Sequence, residues 1–177
     1  GAGGVVEKTL VLALAQRLRD ALAQQGFQAV LTREEDRRMS HRDRARLAAS
    51  KSGDLYVSLH ASASLTPGAS GPSLYVARDD SPGRGGAYAA PSLALARQTA
   101  AALREGTPQA APGIYRVSCY EFRELAMPAM LVEVGFLTNP EEAALLQTEA
   151  CQVRLAQALA AAVRQYADQL ARKEAAP

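Results

Sequence analysis

The stretch AMLVEV at residues 129–134 decides the fold class of this chain. Five of its six residues are apolar, and Gly135 follows immediately. A short apolar run that ends at a glycine predicts a strand buried inside a sheet. The stretch LYVSLH at residues 55–60 has the same bulky apolar character and predicts a second buried strand. We therefore expect the core to be a sheet built around these two segments.

Helical and further strand patterns surround these two segments. An amphipathic helix is predicted over residues 7–25, before Gly26, because a leucine recurs at every fourth position: Leu10, Leu14, Leu18 and Leu22. Further helices are predicted over residues 40–52, over residues 91–104, from the N-cap Asn139 with Pro140 at the first position, and through residues 155–170. Further strands are predicted over residues 27–31, 73–77 and 115–120. Strands alternating with helices predict a single-domain α/β fold, with a mostly parallel or mixed twisted sheet and helices on both faces.

The composition narrows the classes of function. The 20 Lys and Arg against 18 Asp and Glu give a net charge of +2, which does not indicate a nucleic-acid partner. The Arg-rich stretch at residues 33–46 also carries interleaved acidic residues, as is typical of a solvated surface. No apolar run reaches the roughly 18 residues of a membrane helix, so we expect no membrane span.

The cysteines and the first residues limit the possibilities further. Cys119 and Cys151 are too few for a disulfide scaffold or a thiolate metal site. We expect two free, semi-buried thiols, with a single bridge between them as the alternative. The chain opens on the loop-like sequence GAGG at residues 1–4, so we expect a first strand and any targeting segment to precede Gly1.

Three polar side chains are candidates for chemistry. His60 ends one predicted buried strand, Glu133 lies near the end of the other, and Glu7 falls in the first helical turn after the glycine loop. The carboxyl ends of strands in an α/β sheet form the functional crevice. An imidazole and two carboxylates meeting there form a ligand mixture that a catalytic Zn²⁺ ion accepts, with a position left open for water.

Each of the three residues also has a structural explanation. An acid at position 7 complements the helix dipole. A histidine at a strand end often serves as a hydrogen-bonding group. A carboxylate between apolar residues, such as Glu133, can be paired with an arginine from a neighbouring loop. On the residues alone these alternatives remain open.

Taken together, the sequence resembles the zinc-dependent N-acetylmuramoyl-L-alanine amidases of the Amidase_3 family. The resemblance runs from the first residue to about Leu170 and rests on ordered segments. They are Gly1-Ala2 with Glu7-Lys8, Leu31-Thr32-Arg33 with Asp36, Arg44 within residues 41–49, DLYVSLHA at residues 54–61, and MPAMLVEVGFLTNPEE at residues 127–142. The last segment is the most specific.

The resemblance implies a role for each candidate. Glu7 and His60 correspond to zinc ligands of the family, and Glu133 corresponds to its catalytic carboxylate. The family's remaining ligand, a histidine in a Gly-His-Gly-Gly turn, has no counterpart in this sequence, and we expect it upstream of Gly1. With two protein ligands, the chain is expected to bind Zn²⁺ weakly. The only other histidine, His41, aligns with the start of the second helix on the outside of the sheet, which disfavours it as a ligand.

The resemblance also implies an activity and a location. It implies that the chain is a peptidoglycan hydrolase in which zinc-activated water cleaves the amide bond between N-acetylmuramic acid and the L-alanine of the stem peptide. Residues 1–171 would form the amidase catalytic domain, truncated at its N-terminus, and residues 172–177 a frayed tail. We expect a monomer in the periplasm or the extracellular cell wall that binds muramyl peptide and no nucleic acid.

Other functions remain as alternatives. One is a non-catalytic peptidoglycan-binding module on the same fold with a degraded metal site. Another is a zinc hydrolase that acts on a different amide. A phosphate-binding loop at residues 1–4 is the third, although no P-loop Lys-Ser/Thr pair follows it.

Overall fold

A four-stranded sheet organises the fold in the computed structural model, which describes residues 1–66 and 68–175. Its strands are β1 (Tyr56–Ser62), β2 (Ser73–Ala77), β3 (Gly113–Val117) and β4 (Ala129–Phe136). The α-helices of the described residues are α1 (Glu7–Gln24), α2 (His41–Ser50), α3 (Ala89–Gly106), α4 (Pro140–Gln147) and α5 (Glu149–Glu174). Short 3-10 helices lie at Ala2–Gly4, Gly85–Tyr88 and Tyr120–Phe122.

The sheet is mixed, with strand order β1-β4-β2-β3. β1 and β4 are parallel, as are β2 and β3, whereas β2 and β4 are antiparallel. Helices α1, α3 and α5 pack together on one face of the sheet. α2 contributes Ala45 to a smaller cluster on the other face. The predicted single-domain α/β fold with a mixed sheet and helices on both faces is confirmed.

The two faces of the sheet are covered unequally. Successive strand residues point to opposite faces, so Leu74, Met130 and Val132 are fully buried in the main core beneath α1, α3 and α5. Tyr56 and Ala129 belong to the smaller cluster on the opposite face. These two residues begin β1 and β4. The cluster therefore covers the amino-terminal ends of the parallel pair and leaves the opposite ends more accessible.

α5 is the longest helix, with 26 residues, and it packs against both α1 and α3. The predicted apolar face is buried at Leu155, Leu159, Val163 and Tyr166, whereas Leu170 is 42% exposed. The helix continues to Glu174, so the tail predicted from residue 172 begins inside it. Residues 176–177 of that tail lie outside the described residues. No helix in the part of the chain that the structure describes is both long and apolar enough to cross a membrane.

The strand predicted over residues 27–31 is absent, and this prediction was wrong. The segment has no regular secondary structure, and in the described part of the chain no strand of the sheet pairs with it. Phe27 and Ala29 pack against the main core, and the guanidinium of Arg164 lies 4.5 Å from the Phe27 ring. Alternating apolar side chains are not enough for a strand, because its backbone must also find a hydrogen-bonded neighbour.

Other elements agree with the sequence except at their ends. The Asn139 side chain accepts the N–H groups of Glu141 and Glu142, with Pro140 in the first turn, as predicted. α3 begins at Ala89, two residues before the predicted start, because a proline in the first helical turn needs no N–H donor. The strand predicted over residues 115–120 is β3, which ends at Val117 and is followed by the 3-10 helix Tyr120–Phe122. Both cysteines are free, as expected.

Candidate active site

β1 and β4 place His60 and Glu133 next to each other. The strands are parallel, and His60 pairs with Glu133 in their register. Leu59 and Val132, their neighbours along the strands, contact the main core, so both candidate side chains point to the opposite face. The His60 side chain is 39% exposed, and Glu133 is also partly exposed. The structure thus brings these two predicted residues together on the accessible face of the sheet.

Glu7 reaches the same place from the first turn of α1. Its Oε1 atom lies 3.0 Å from Nδ1 of His60 and accepts the backbone N–H of Ala61 at 3.2 Å. The Glu7 side chain remains 44% exposed. Its position in the first helical turn also suits the helix dipole, so the structural explanation for this acid is compatible with a role in a site.

Residues in the loop between α1 and α2 contact the helical turn that carries Glu7. The Lys8 ammonium contacts Asp36 Oδ2 at 2.5 Å, and Arg33 donates to the Lys8 carbonyl oxygen at 2.6 Å. Arg44 in turn donates to the Thr32 hydroxyl oxygen at 2.5 Å. Most side chains of residues 33–46 are exposed. The charged stretch therefore serves at least in part to hold the first turn of α1 in place.

Tyr75 of β2 is a site residue that the sequence analysis did not identify. Its hydroxyl donates to Oε2 of Glu133 at 3.2 Å. Burial raises the pKa of Tyr75, and the nearby Glu133 carboxylate raises it further, so the hydroxyl stays protonated as a donor. The Tyr75 ring also stacks on Tyr115 of β3, with centroids 5.3 Å apart and planes 26° apart. The available signal was the alternation within residues 73–77, but that pattern does not reveal which strand lies beside β2.

Glu121, in the 3-10 helix Tyr120–Phe122, is the second residue that was missed. Its side chain is only 3% exposed. Oε2 lies 4.0 Å from Nε2 of His60 and 3.7 Å from Nδ1 of His41, and Oε1 accepts the Tyr56 hydroxyl at 3.4 Å. Burial, followed by the Glu121 charge, raises the pKa of Tyr56. His41 begins α2, as predicted. The Glu121 carboxylate lies between its ring and that of His60. An acid between two aromatic residues was the only sequence signal.

Glu7 and His60 offer two side chains that could hold a metal ion. In residues 1–66 and 68–175, no group of three His, Cys, Asp or Glu side chains could hold a metal ion. An imidazole nitrogen and a carboxylate oxygen are nevertheless ligands that Zn²⁺ accepts, and with bonds of about 2.0–2.2 Å two tetrahedral ligands lie roughly 3.4 Å apart. The observed separation of 3.0 Å is close to that value. The pair fits two corners of a zinc site.

The comparison with known families agrees with this fold. The model of the N-acetylmuramoyl-L-alanine amidase family matches residues 1–165. The chain belongs to this family, and the resemblance noted from the sequence is confirmed.

Individual amidases are similar to this chain in sequence and in structure. The chain is 31% identical to the N-acetylmuramoyl-L-alanine amidase LytC of Bacillus subtilis (strain 168), over 88% of this chain but only 30% of LytC. It is 30% identical to the germination-specific N-acetylmuramoyl-L-alanine amidase of the same organism, over 93% of this chain and 72% of that protein. The solved catalytic domain of the amidase CwlV from Bacillus (Paenibacillus) polymyxa var. colistinus matches with a TM-score of 0.82 and 31% identity, covering 93% of this chain and 87% of that one.

Proposed function

We propose that this chain is a zinc-dependent N-acetylmuramoyl-L-alanine amidase that hydrolyses the amide bond between N-acetylmuramic acid and the L-alanine of the peptidoglycan stem. The observation that carries the proposal is the contact between Glu7 and His60 beside Glu133, on the accessible face of the sheet. Membership of the amidase family supports the same reaction. In this proposal residues 1–171 are the catalytic domain.

Glu7 and His60 would hold the metal ion through Oε1 and Nδ1, the two atoms that already face each other. When bound, Zn²⁺ polarises the amide carbonyl and lowers the pKa of water to about 7. The hydrogen bond from Ala61 to Glu7 keeps the carboxylate directed toward His60 before any metal binds.

Glu133 would transfer the proton in the reaction, first as a base and then as an acid. Its carboxylate removes a proton from the attacking water and then donates that proton to the departing amine of L-alanine, so the residue ends the cycle unchanged. Tyr75 orients the carboxylate through its hydrogen bond to Oε2. The other oxygen, Oε1, would then take the proton from water.

The proposed reaction indicates where the protein acts and what it binds. Peptidoglycan lies outside the cytoplasmic membrane, so we propose a periplasmic or extracellular location and a role as an autolysin in cell-wall turnover or cell division. The substrate partner is muramyl peptide, and we propose that the protein acts as a monomer.

Replacing Glu133 by glutamine tests the proposal. The substitution keeps the volume and the contact with Tyr75 but removes the base, so cleavage should fall by about 10²–10⁴-fold while folding and zinc affinity are retained. The assay is digestion of purified peptidoglycan with Zn²⁺ present, followed by mass analysis of released stem peptides that begin at L-alanine. Glu141→Gln is the matched control, because Glu141 is exposed and lies on α4.

Three outcomes would contradict the proposal in different ways. Full cleavage by the Glu133→Gln protein would remove Glu133 from the mechanism. Products cut at another amide would favour a different zinc hydrolase. Binding to peptidoglycan without any product from the unaltered protein would favour the non-catalytic binding module.

A further inference from the structure

Glu121 is a buried acid that the proposed reaction does not use. Its side chain is 3% exposed, and transferring a carboxylate from water into such a place is costly unless the charge is compensated. The Tyr56 hydroxyl, 3.4 Å from Oε1, is a long hydrogen bond and compensates only in part. The other oxygen, Oε2, faces the imidazoles of His60 and His41. An acid that only held the 3-10 helix Tyr120–Phe122 in place would not need an oxygen that faces two imidazoles.

We propose that Glu121 is a positioning residue that accepts the Nε2 proton of His60, so that Nδ1 directs its lone pair toward Glu7 and the metal position. The inference rests on the proposed function, because it takes Nδ1 of His60 to be a metal ligand. Glu121 touches neither substrate nor metal in this arrangement.

The geometry of the imidazole ring carries the argument. Nδ1 faces Glu7 Oε1 at 3.0 Å, whereas Nε2 faces Glu121 Oε2 at 4.0 Å. The two nitrogens lie on different sides of the ring, so a metal ion between Nδ1 and Glu7 leaves Glu121 beside the other nitrogen. A neutral imidazole that binds metal through Nδ1 must carry its proton on Nε2. Metal-binding histidines usually donate that second N–H to a carboxylate, a backbone carbonyl or water.

The separation of 4.0 Å is an electrostatic contact and is longer than a hydrogen bond. Without metal, Nδ1 can donate its proton to Glu7, and Nε2 then has none to give. With a metal ion held at Nδ1, the ring proton would lie on Nε2, where it could be donated to Oε2. We therefore expect the contact between His60 and Glu121 to shorten when the metal binds.

Zinc affinity of the 177-residue chain tests the role of Glu121 independently of peptidoglycan cleavage. Competition with a chromophoric chelator gives the Kd for Zn²⁺ in the unaltered chain, in Glu121→Leu and in Glu121→Gln. Loss of an outer partner typically weakens metal binding by about 10–100-fold, and we expect that range for Glu121→Leu. Glu121→Gln keeps an amide oxygen as a neutral acceptor, so a smaller loss is expected.

Tyr56→Phe is the matched control. It removes the other hydrogen bond of Glu121 but leaves Oε2 and His60 in place, so it should lower thermal stability and change the Kd for Zn²⁺ by less than about threefold (a difference below roughly 0.7 kcal/mol). A purely structural Glu121 would differ in the two Glu121 variants, which would then lose stability without losing zinc affinity, as Tyr56→Phe does.

Nitrogen-detected NMR of His60 supplies a measurement that needs no variant. In the zinc-loaded chain the proposal requires the proton on Nε2, with a downfield, slowly exchanging signal. A zinc-loaded His60 protonated on Nδ1 would overturn the proposal, as would equal zinc affinity in a folded Glu121→Leu chain. If the unaltered chain binds no zinc, the metal proposal and this one both fail, whereas equal affinities refute the role of Glu121 alone.

Discussion

Glu142 is a buried carboxylate that joins three separate segments of the chain. Oε1 accepts the backbone N–H of Gly71 at 2.8 Å and the Gln109 side-chain amide at 3.1 Å, and Oε2 accepts the N–H of Phe136 at 2.8 Å. The residue is 7% exposed. It therefore ties the start of α4 to the end of β4, to the segment before β2 and to the segment after α3.

Replacing Glu142 by glutamine should destabilise the protein by about 2–4 kcal/mol. The amide oxygen can take the place of Oε1, but the amide NH₂ then faces the N–H of Phe136, and an unpaired, partly buried donor costs about 1–3 kcal/mol. The two remaining hydrogen bonds lose their charge assistance, which we count as about 1 kcal/mol in total. In a domain of this size, 2–4 kcal/mol lowers the Tm by roughly 4–16 °C.

Urea unfolding followed by circular dichroism measures this difference directly. Glu141→Gln is the control, because Glu141 is the preceding residue in the same helical turn but is exposed. It should cost no more than about 1 kcal/mol, the upper end of the usual range for an acid at a helix N-terminus. If the two variants unfold within about 0.5 kcal/mol of each other, the reasoning from unpaired donors is refuted, and Glu142 contributes no more than a surface acid.

The remaining predictions concern the site and the packing around it. Tyr75→Phe removes the donor to Glu133 and should lower the rate of peptidoglycan cleavage by about 10-fold, the value of one lost hydrogen bond to a charged group; an unchanged rate would mean that Glu133 needs no such support. Burial raises the pKa of the Cys151 thiol, which leaves less thiolate at a given pH, so iodoacetamide at pH 8 should label Cys119 faster than Cys151 when the folded protein is mapped by mass spectrometry. Gly135→Ala should destabilise the fold by about 1–3 kcal/mol in thermal unfolding, because Gly135 has φ +148° and an added Cβ would lie 3.0–3.2 Å from the Gln109 and Glu142 side chains; a Tm equal to that of the unaltered chain would argue against backbone strain there.

Local sequence signals predicted most of the fold. The leucine spacing of α1, the apolar run of β4 and the cap at Asn139 each depend on residues close together in the chain, and each element is present. The prediction of a strand over residues 27–31 was wrong because pairing in a sheet depends on a neighbouring strand that is distant in the sequence. The local sequence cannot show whether that neighbouring strand is there.

The residues of the candidate site likewise fall into two groups, those that local sequence features predict and those that depend on tertiary packing. Glu7, His60 and Glu133 were identified because each follows a recognisable local feature, namely a helix start or a buried strand. Tyr75 reaches Glu133 only because β2 lies antiparallel to β4 in the sheet. Glu121 meets His60 only because a short turn packs back on β1. Contacts of this kind arise from tertiary packing, and no periodicity in the sequence encodes them.

The position of α5 has a consequence for biosynthesis. Because α5 packs against both α1 and α3, a nascent chain in which α5 has not yet been made would present two apolar helical surfaces without their cover. Such a chain cannot complete its core on the ribosome until α5 has emerged. Premature stop codons before Tyr166 should therefore yield aggregation-prone fragments and no stable shorter enzyme.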